Sequence, residues 1–300
     1  MRVFLSLKRL KIHNANALSC PYIIGFPSMT AWLGAVHALE RKLRQVDGFS
    51  AIRLPRLAVS CLDFNLQTYR GPSDRVNSVI ITANPLRKKG ASFERPAFIE
   101  EARVHLEVSL LIEVEGLEST QHDDFKKRVR ALLPTMKMAS GDIMGIRGMD
   151  LKIVERQEDE KAVIHTLMPG YVLLERRDLL LVTDKEAKDN KTDSLDAMLD
   201  YLALHYKMSQ PVEGGEPQWE VEKKRNGWLV PIAAGYKGIS PLGHVENQRD
   251  TMTPHRFVES VMTLGEFKMP HHIEKIDTMM WQYHYDKADN LYLCENEGAV

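Results

Sequence analysis

Apolar and polar residues alternate at the start of the chain. Val3, Leu5 and Leu7 fall between Arg2, Ser6 and Lys8, a spacing that predicts a first strand over Val3 to Ile12. Asn14-Ala-Asn16 is expected to end it, and a loop continues through Pro21, Gly25 and Pro27. Ser28 then stands as the N-cap of a helix to about Arg44. The stripe of that helix is Trp32, Leu33, Val36, Leu39 and Leu43, and Asp47-Gly48 stops it. Leu57 to Leu66 predicts a second strand. Arg103 to Val114 is the clearest strand in the chain, strictly alternating in its front half. A helix follows from about Asp123 to Leu133, with Asp123 and Asp124 in its first turn, where the helix dipole favours acids, and Pro134 after it. The order is β-α-β, an insert, then β-α-β, as in ferredoxin-like and RRM-like folds. The expected class is α+β, with a core over 1–183 and an insert at about 67–100.

The second half is less regular. Tyr171 to Leu174 and Leu179 to Val182 are apolar segments around a charged Glu175-Arg-Arg-Asp178 turn. Ser194 to Tyr206 predicts an amphipathic helix with Leu195, Met198, Leu199 and Leu202 on one face. Trp219 to Ile232 suggests a hairpin about Asn226-Gly227. Pro254 to Tyr285, rich in aromatics and histidine, is expected to be helical. Its Phe257, Met262, Leu264 and Phe267 are expected to form exposed apolar surface. Residues 184–300 thus read as a helical and hairpin region packed on the core. Repeats and low-complexity tracts are absent.

Composition narrows the function only slightly. Three hundred residues, 44% hydrophobic and 27% charged, suit a globular protein with a sizeable core. The net charge of −1 is silent on nucleic acid, because a phosphate backbone needs positive charge locally. That local charge lies between Arg70 and Arg95. There Arg70, Arg75, Arg87, Lys88, Lys89 and Arg95 meet only Asp74 and Glu94, and Gly71-Pro72, Asn84-Pro85 and Gly90 break the chain. Ser78 to Thr82 predicts a short strand inside a projecting basic arm. Guanidinium groups pair with phosphate and stack on unpaired bases. The plain alternative is a solvated loop. Cys20, Cys61 and Cys294 are too few and too scattered for disulfides or a zinc cage. The interrupted apolar start is no signal peptide, and no run reaches membrane-span length, so the expected compartment is the cytoplasm.

His271, His272 and His284 lie near Glu274, Asp277 and Asp286, but no zinc-hydrolase spacing occurs, and a packed face is the simpler account; no metal or cofactor is expected. Ser140-Gly-Asp-Ile-Met-Gly-Ile-Arg-Gly148 lacks a Walker lysine and a dinucleotide fingerprint. It reads as a loop, with backbone N–H groups facing a phosphate as the other possibility. Asn14 and Asn16, with Ser28 nearby, carry donors and acceptors suited to base edges or a ribose; an Asx turn is the alternative.

Several motifs together resemble one family: Leu10-Lys-Ile-His-Asn-Ala-Asn-Ala-Leu18, Gly25-Phe-Pro-Ser28, Val36-His-Ala-Leu39, Asn84-Pro-Leu86 and Ala102-Arg-Val-His-Leu-Glu-Val-Ser-Leu-Leu111. Later come Leu167-Met-Pro-Gly-Tyr-Val172, Gly227-Trp-Leu-Val-Pro-Ile232, Ala234-Gly-Tyr236, Ser240-Pro-Leu242, Thr253-Pro-His-Arg-Phe-Val-Glu259 and Leu264-Gly-Glu266. The chain is similar over nearly its whole length to the second-subunit family of type I-F CRISPR (Csy) complexes, RAMP proteins of the Cas-five type. The resemblance implies an RRM-like core with a projecting thumb, which the basic arm would supply. It implies a non-catalytic subunit that pairs with the large subunit to hold the crRNA 5′ handle. The subunit would abut the first backbone subunit, with target DNA nearby and no membrane. RNA contacts are expected at Asn14, Asn16, Ser28, Arg70, Arg75, Arg87, Lys88, Lys89 and Arg95. The alternative is a metal-independent endoribonuclease using His13, His37 or His105 as general base.

Overall fold

The computed structural model describes residues 1–80, 86–94, 101–181, 193–209 and 218–296. It is a mixed α and β protein dominated by strands. The first half contains β1 (Arg2–Asn16), β2 (Leu18–Cys20), β3 (Ile23–Ile24), α1 (Met29–Arg44), β4 (Leu57–Leu66), β5 (Thr68–Tyr69), β6 (Ser78–Val79), β7 (Arg87–Lys89), β8 (Ser92–Glu94) and β9 (Arg103–Val114). Then come α2 (His122–Leu132), β10 (Lys137–Met138), β11 (Gly141–Val154), α3 (Gln157–His165) and β12 (Tyr171–Glu175). After the helix Ser194–Leu202 follow β13 (His205–Ser209), β14 (Gln218–Glu222), β15 (Trp228–Gly238), β16 (Val258–Lys268), β17 (Trp281–Asp286) and β18 (Leu291–Asn296).

Ten strands join in the order β10-β11-β1-β9-β4-β12-β16-β15-β18-β17. Every neighbouring pair is antiparallel. Within it, β11-β1-β9-β4 places the chain's first long strand between its third and fourth. Strand β17 returns to β4 through Trp281 opposite Leu57, so six strands from β4 to β17 close a ring of pairings.

Alternation along β1, β9 and β4 sends Leu5, Leu7, Leu10, Ile12, Leu106, Val108, Leu110 and Leu57 into the main core. There α1 and α2 cover them with Trp32, Leu39, Phe125 and Val129. The opposite face carries a smaller core at one end only: Phe4, Ala58 and Leu111 lie under Val163 and Ile164 of α3, with Ile276 and Met279. Glu113 seals that end. It pairs with Arg2 at 3.0 Å and with Arg56, and both guanidiniums also reach Asp277 at 2.8 and 2.9 Å. Beyond Lys8 the second face is uncovered. That bare end positions the site.

Several sequence expectations are corrected. The region 254–285 is not helical: it holds β16, two short 3-10 turns (Pro270–His272 and Ile276–Met279) and β17. Strands β15 to β18 therefore extend the same sheet as the core, and Leu264 is buried. Gly265 shows why: a Cβ there would stand 2.8 Å from Leu173 Cδ1, so close packing of β16 on β12 needs a residue without a side chain. The hairpin about Asn226-Gly227 does not form; β14 pairs with β13, and β15 with β16 and β18. The helix ends at Leu202, and it buries Ala197 and Met198 while Leu195 and Leu199 are exposed. Residues 177–181 are helical. The glycine-rich stretch after Ser140 is mostly strand β11, entered by a tight turn in which Ala139 (φ +48°) and Ser140 (φ +66°) are both left-handed.

Candidate nucleic-acid interface

The arm leaves the sheet at the end of β4. Its root is a two-stranded ribbon, Thr68 opposite Val79 and Tyr69 opposite Ser78, and a second ribbon pairs Arg87 with Glu94, Lys88 with Phe93 and Lys89 with Ser92. Both ribbons stand apart from the main sheet. Alternation puts Lys88 beside Phe93, whose ring is 66% exposed, on one face of the second ribbon. Arg70 Nε donates to the Asp74 carbonyl at 3.1 Å, while the Asp74 carboxylate accepts from the Gly71 N–H at 2.8 Å. The one acid inside the first loop is thus spent on its own turn. Lys89 pairs with Glu94 at 3.3 Å in an exposed contact. Arg75, Arg87 and Lys88 are exposed, with no ion-pair partner among the described residues. Arg95, and the Asn84-Pro85 of the family motif, lie outside the described residues.

A second cationic surface, which the sequence reading did not assemble, lies on the bare end of the sheet. Two β-bulges in β1 build it. Leu7 faces Leu110 and Leu10 faces Val108, so Lys8 and Arg9 together stand opposite Ser109. Ile12 faces Leu106 and Ala15 faces Val104, so His13 and Asn14 stand opposite His105. Arg9 (φ +53°) and Asn14 (φ +56°) take the left-handed conformation at each bulge. The freed N–H groups are satisfied by the facing side chains: Arg9 N donates to Ser109 Oγ and Asn14 N to His105 Nδ1, each at 3.1 Å.

The bulges restore Leu10 and Ile12 to the core and turn the intervening cations outward. Arg9, Lys11, Glu107, Gly145, Ile146 and Arg147 line a hollow of about 370 Å³. Arg9 pairs with Glu107, whose hydrogen bond and charge raise the guanidinium above its ordinary pKa. Lys8, Lys11 and Arg147 have no ion-pair partner among the described residues. The His13 and His105 rings stack with centroids 4.6 Å apart. The available signal was Lys8 and Lys11 alternating with Leu7, Leu10 and Ile12. What sequence could not supply was Arg147 coming alongside through the β1–β11 register.

Of the residues expected to contact RNA, Asn14 joins this surface to the arm. Its carbonyl accepts from Arg103 Nη1 at 3.3 Å, and the Arg103 carbonyl accepts from Gln67 N, one residue before the arm root. Asn16 is the last residue of β1, and its side chain is turned back: Oδ1 accepts from Leu18 N and Nδ2 donates to the Leu18 carbonyl, an Asx-type turn. Ser28 precedes α1 as expected but makes no side-chain cap; its Oγ lies 3.1 Å from Thr30 Oγ1. His37 is exposed on α1, away from the His13–His105 stack in sequence and in element. His271 and His272 lie in a 3-10 turn, and no group of three or more His, Cys, Asp or Glu is placed to hold a metal among the described residues. Among them, no helix is long and apolar enough to cross a membrane.

The sequence matches the family model described as CRISPR-associated protein (Cas_Csy2) over residues 5–294. It is also 35% identical over 317 aligned positions to the CRISPR-associated protein Csy2 of Pseudomonas aeruginosa (strain UCBPP-PA14), covering 96% of this chain and 93% of that one. A match of this span, over the strands that carry both basic surfaces, shows that the chain belongs to the Csy2 family of CRISPR-associated proteins.

Proposed function

We propose that the chain is a non-catalytic RNA-binding component of a type I-F CRISPR Csy complex. It would hold the crRNA 5′ handle together with the large subunit, next to the first backbone subunit and near target DNA, in the cytoplasm. Family membership supports the complex. The observation that carries RNA binding is the exposed ribbon on which Arg87 and Lys88 have no carboxylate partner among the described residues. Phosphate contacts require such free cations. The order β11-β1-β9-β4, with α1 and α2 on one face, supports a ferredoxin-like, RAMP-type core from which the ribbons project as a thumb. Reversing charge at Arg87, Lys88 and Lys89 is expected to lower guide occupancy of the assembled complex and flatten its dependence on salt. Unchanged occupancy from low to high salt would overturn the assignment of the thumb.

One observation favours the endoribonuclease as a second reading, namely the stacked His13 and His105 on a cationic surface. His105 Nδ1 already accepts from Asn14, which leaves Nε2 as its donor. Incubation of the purified protein with repeat RNA separates the two readings. Site-specific cleavage abolished by His13→Ala or His105→Ala would make it an enzyme; intact RNA supports the binding subunit.

A further inference from the structure

Strand β15 opens on Trp228, an indole that is 55% exposed although it is locked to the core. Its ring lies 5.3 Å from that of Tyr171 at 71°, and 5.2 Å from that of Phe267 at 49°. Phe267 meets Phe26 edge-on at 5.3 Å, and Phe26 stacks at 5.4 Å on Trp32. Trp32 is fully buried and donates through Nε1 to the Pro27 carbonyl at 3.2 Å. Phe267, Phe26 and Trp32 in succession, with Tyr171 at its side, therefore hold Trp228 in place at the surface.

Beside it is a hollow of about 300 Å³ walled by Trp228, Tyr171, Phe267, Phe26, Phe64 and Pro231, among others. Asp63 is its one charged lining residue, so the hollow repels a phosphate and suits a neutral, flat group. Its position ties it to nucleic acid. Phe64 is 40% exposed and lies on β4 just before the strand enters the arm. At about 3.3 Å per residue, Tyr69 at the arm root is within roughly 17 Å of it. By alternation Phe64, opposite Leu106, faces the helix-covered side of the sheet, so the cations nearest the hollow are those of the arm. A strand gripped by its phosphates on those cations must place its unpaired bases nearby, and a rigid aromatic ring accepts any base.

We propose that this hollow seats one unstacked base of single-stranded RNA, with Trp228 as its stacking platform. The inference rests on the RNA-binding reading above and names what the cationic surfaces deliver. A protein side chain is the competing occupant.

The test uses the purified full-length chain and a short labelled single-stranded handle RNA, together with a series in which each base in turn is replaced by an abasic site. Trp228→Ala is expected to weaken binding about tenfold, the scale of one lost base stack, and Trp228→Phe to retain most of it. One abasic position should give the same loss and make Trp228→Ala silent, a non-additivity that mere loosening of the surface would not produce. Tyr171→Ala is a second probe, and thermal melting shows that the variants are folded. If folded Trp228→Ala and Tyr171→Ala bind every RNA like the parent while charge reversal at Arg87, Lys88 and Lys89 abolishes binding, the hollow is not a base site and the thumb stands. If charge reversal also has no effect, the RNA reading fails and takes this proposal with it.

Discussion

The backbone N–H of Asn14 donates to Nδ1 of His105 at 3.1 Å, so a side chain of β9 closes the ladder bond that a bulge in β1 opens. The same device recurs five residues earlier between Arg9 and Ser109. Both bulges use non-glycine residues with positive φ, each costing about 1–2 kcal/mol against an ordinary strand conformation. What is gained is geometric: without the extra residues Leu10 and Ile12 would face solvent and Lys11 and His13 the core.

His105→Ala removes the acceptor and leaves the Asn14 N–H unpaired at a half-open site. The expected cost is about 1 kcal/mol in denaturant unfolding. The His105→Asn substitution returns an acceptor of shorter reach and should recover part of it. Equal stability of parent and His105→Ala would mean that water replaces the ring at no cost, and the account of the bulge would be wrong.

The turn between β10 and β11 offers a test of the opposite sign. Ala139 and Ser140 are both left-handed there, a two-residue hairpin conformation that normally calls for Asn-Gly. Ser140 is exposed, so Ser140→Gly relieves strain without disturbing packing. A stabilisation of about 0.5–1 kcal/mol is expected, after the entropy cost of glycine is subtracted. Differential scanning calorimetry reads it as a higher Tm; a lower Tm would refute the strain.

Glu113 holds two guanidiniums, Arg2 and Arg56, at the covered end of the sheet, with Asp277 completing the group. Burial pushes the Asp277 carboxyl up, but hydrogen bonds and charge from Arg2 and Arg56 hold it below its ordinary value. Removing the buried partner should hurt most. Glu113→Ala leaves two cations facing one half-exposed carboxylate and is expected to cost about 3 kcal/mol. Asp277→Ala, at the rim, should cost under about 1 kcal/mol. Chemical denaturation of the two variants would expose a mistake if their order were reversed.

How much of this was legible depended on how local each signal is. Strand β4 runs from Leu57 to Leu66, as its run of residues predicts, and α1 begins right after Ser28, because stripe and boundary are written in adjacent residues. The stretch from Phe257 to Phe267 was ambiguous: its apolar spacing fits a helix stripe, and only the approach of Gly265 to Leu173, supplied by a distant strand, selects extended chain. The arm was legible because Arg87, Lys88 and Lys89 are consecutive and the other cations lie close by along the chain. The sheet-face cluster was not, since Lys11 and Arg147 meet only through a register, and the aromatic hollow draws on five separate segments.

Glu175 makes the stability of the closed ring depend on pH. Glu175 is only 3% exposed, and it ties β12 to β18: Oε2 accepts from Asn296 N at 3.2 Å while Glu175 N donates to Asn296 Oδ1 at 2.6 Å. Burial pushes its pKa up from 4.5 to about 7, against the pull of Arg177 at 2.7 Å. Below pH 4.5 the group is protonated in folded and unfolded chains alike, and its ionisation costs nothing. Between about 4.5 and 7 the unfolded chain releases this proton and the folded chain keeps it, so stability falls as pH rises; above 7 the loss is complete. At about 1.4 kcal/mol per pH unit, the whole loss is at most on the order of 3 kcal/mol. Glu175→Gln cannot ionise. Relative to the parent it should therefore gain stability between pH 5 and pH 7 in urea titrations and level off above that, while the two share whatever pH dependence the rest of the molecule contributes. Parallel stability curves for parent and Glu175→Gln across that interval would show that the folded protein accommodates the charged carboxylate freely, with Arg177 compensating its burial in full.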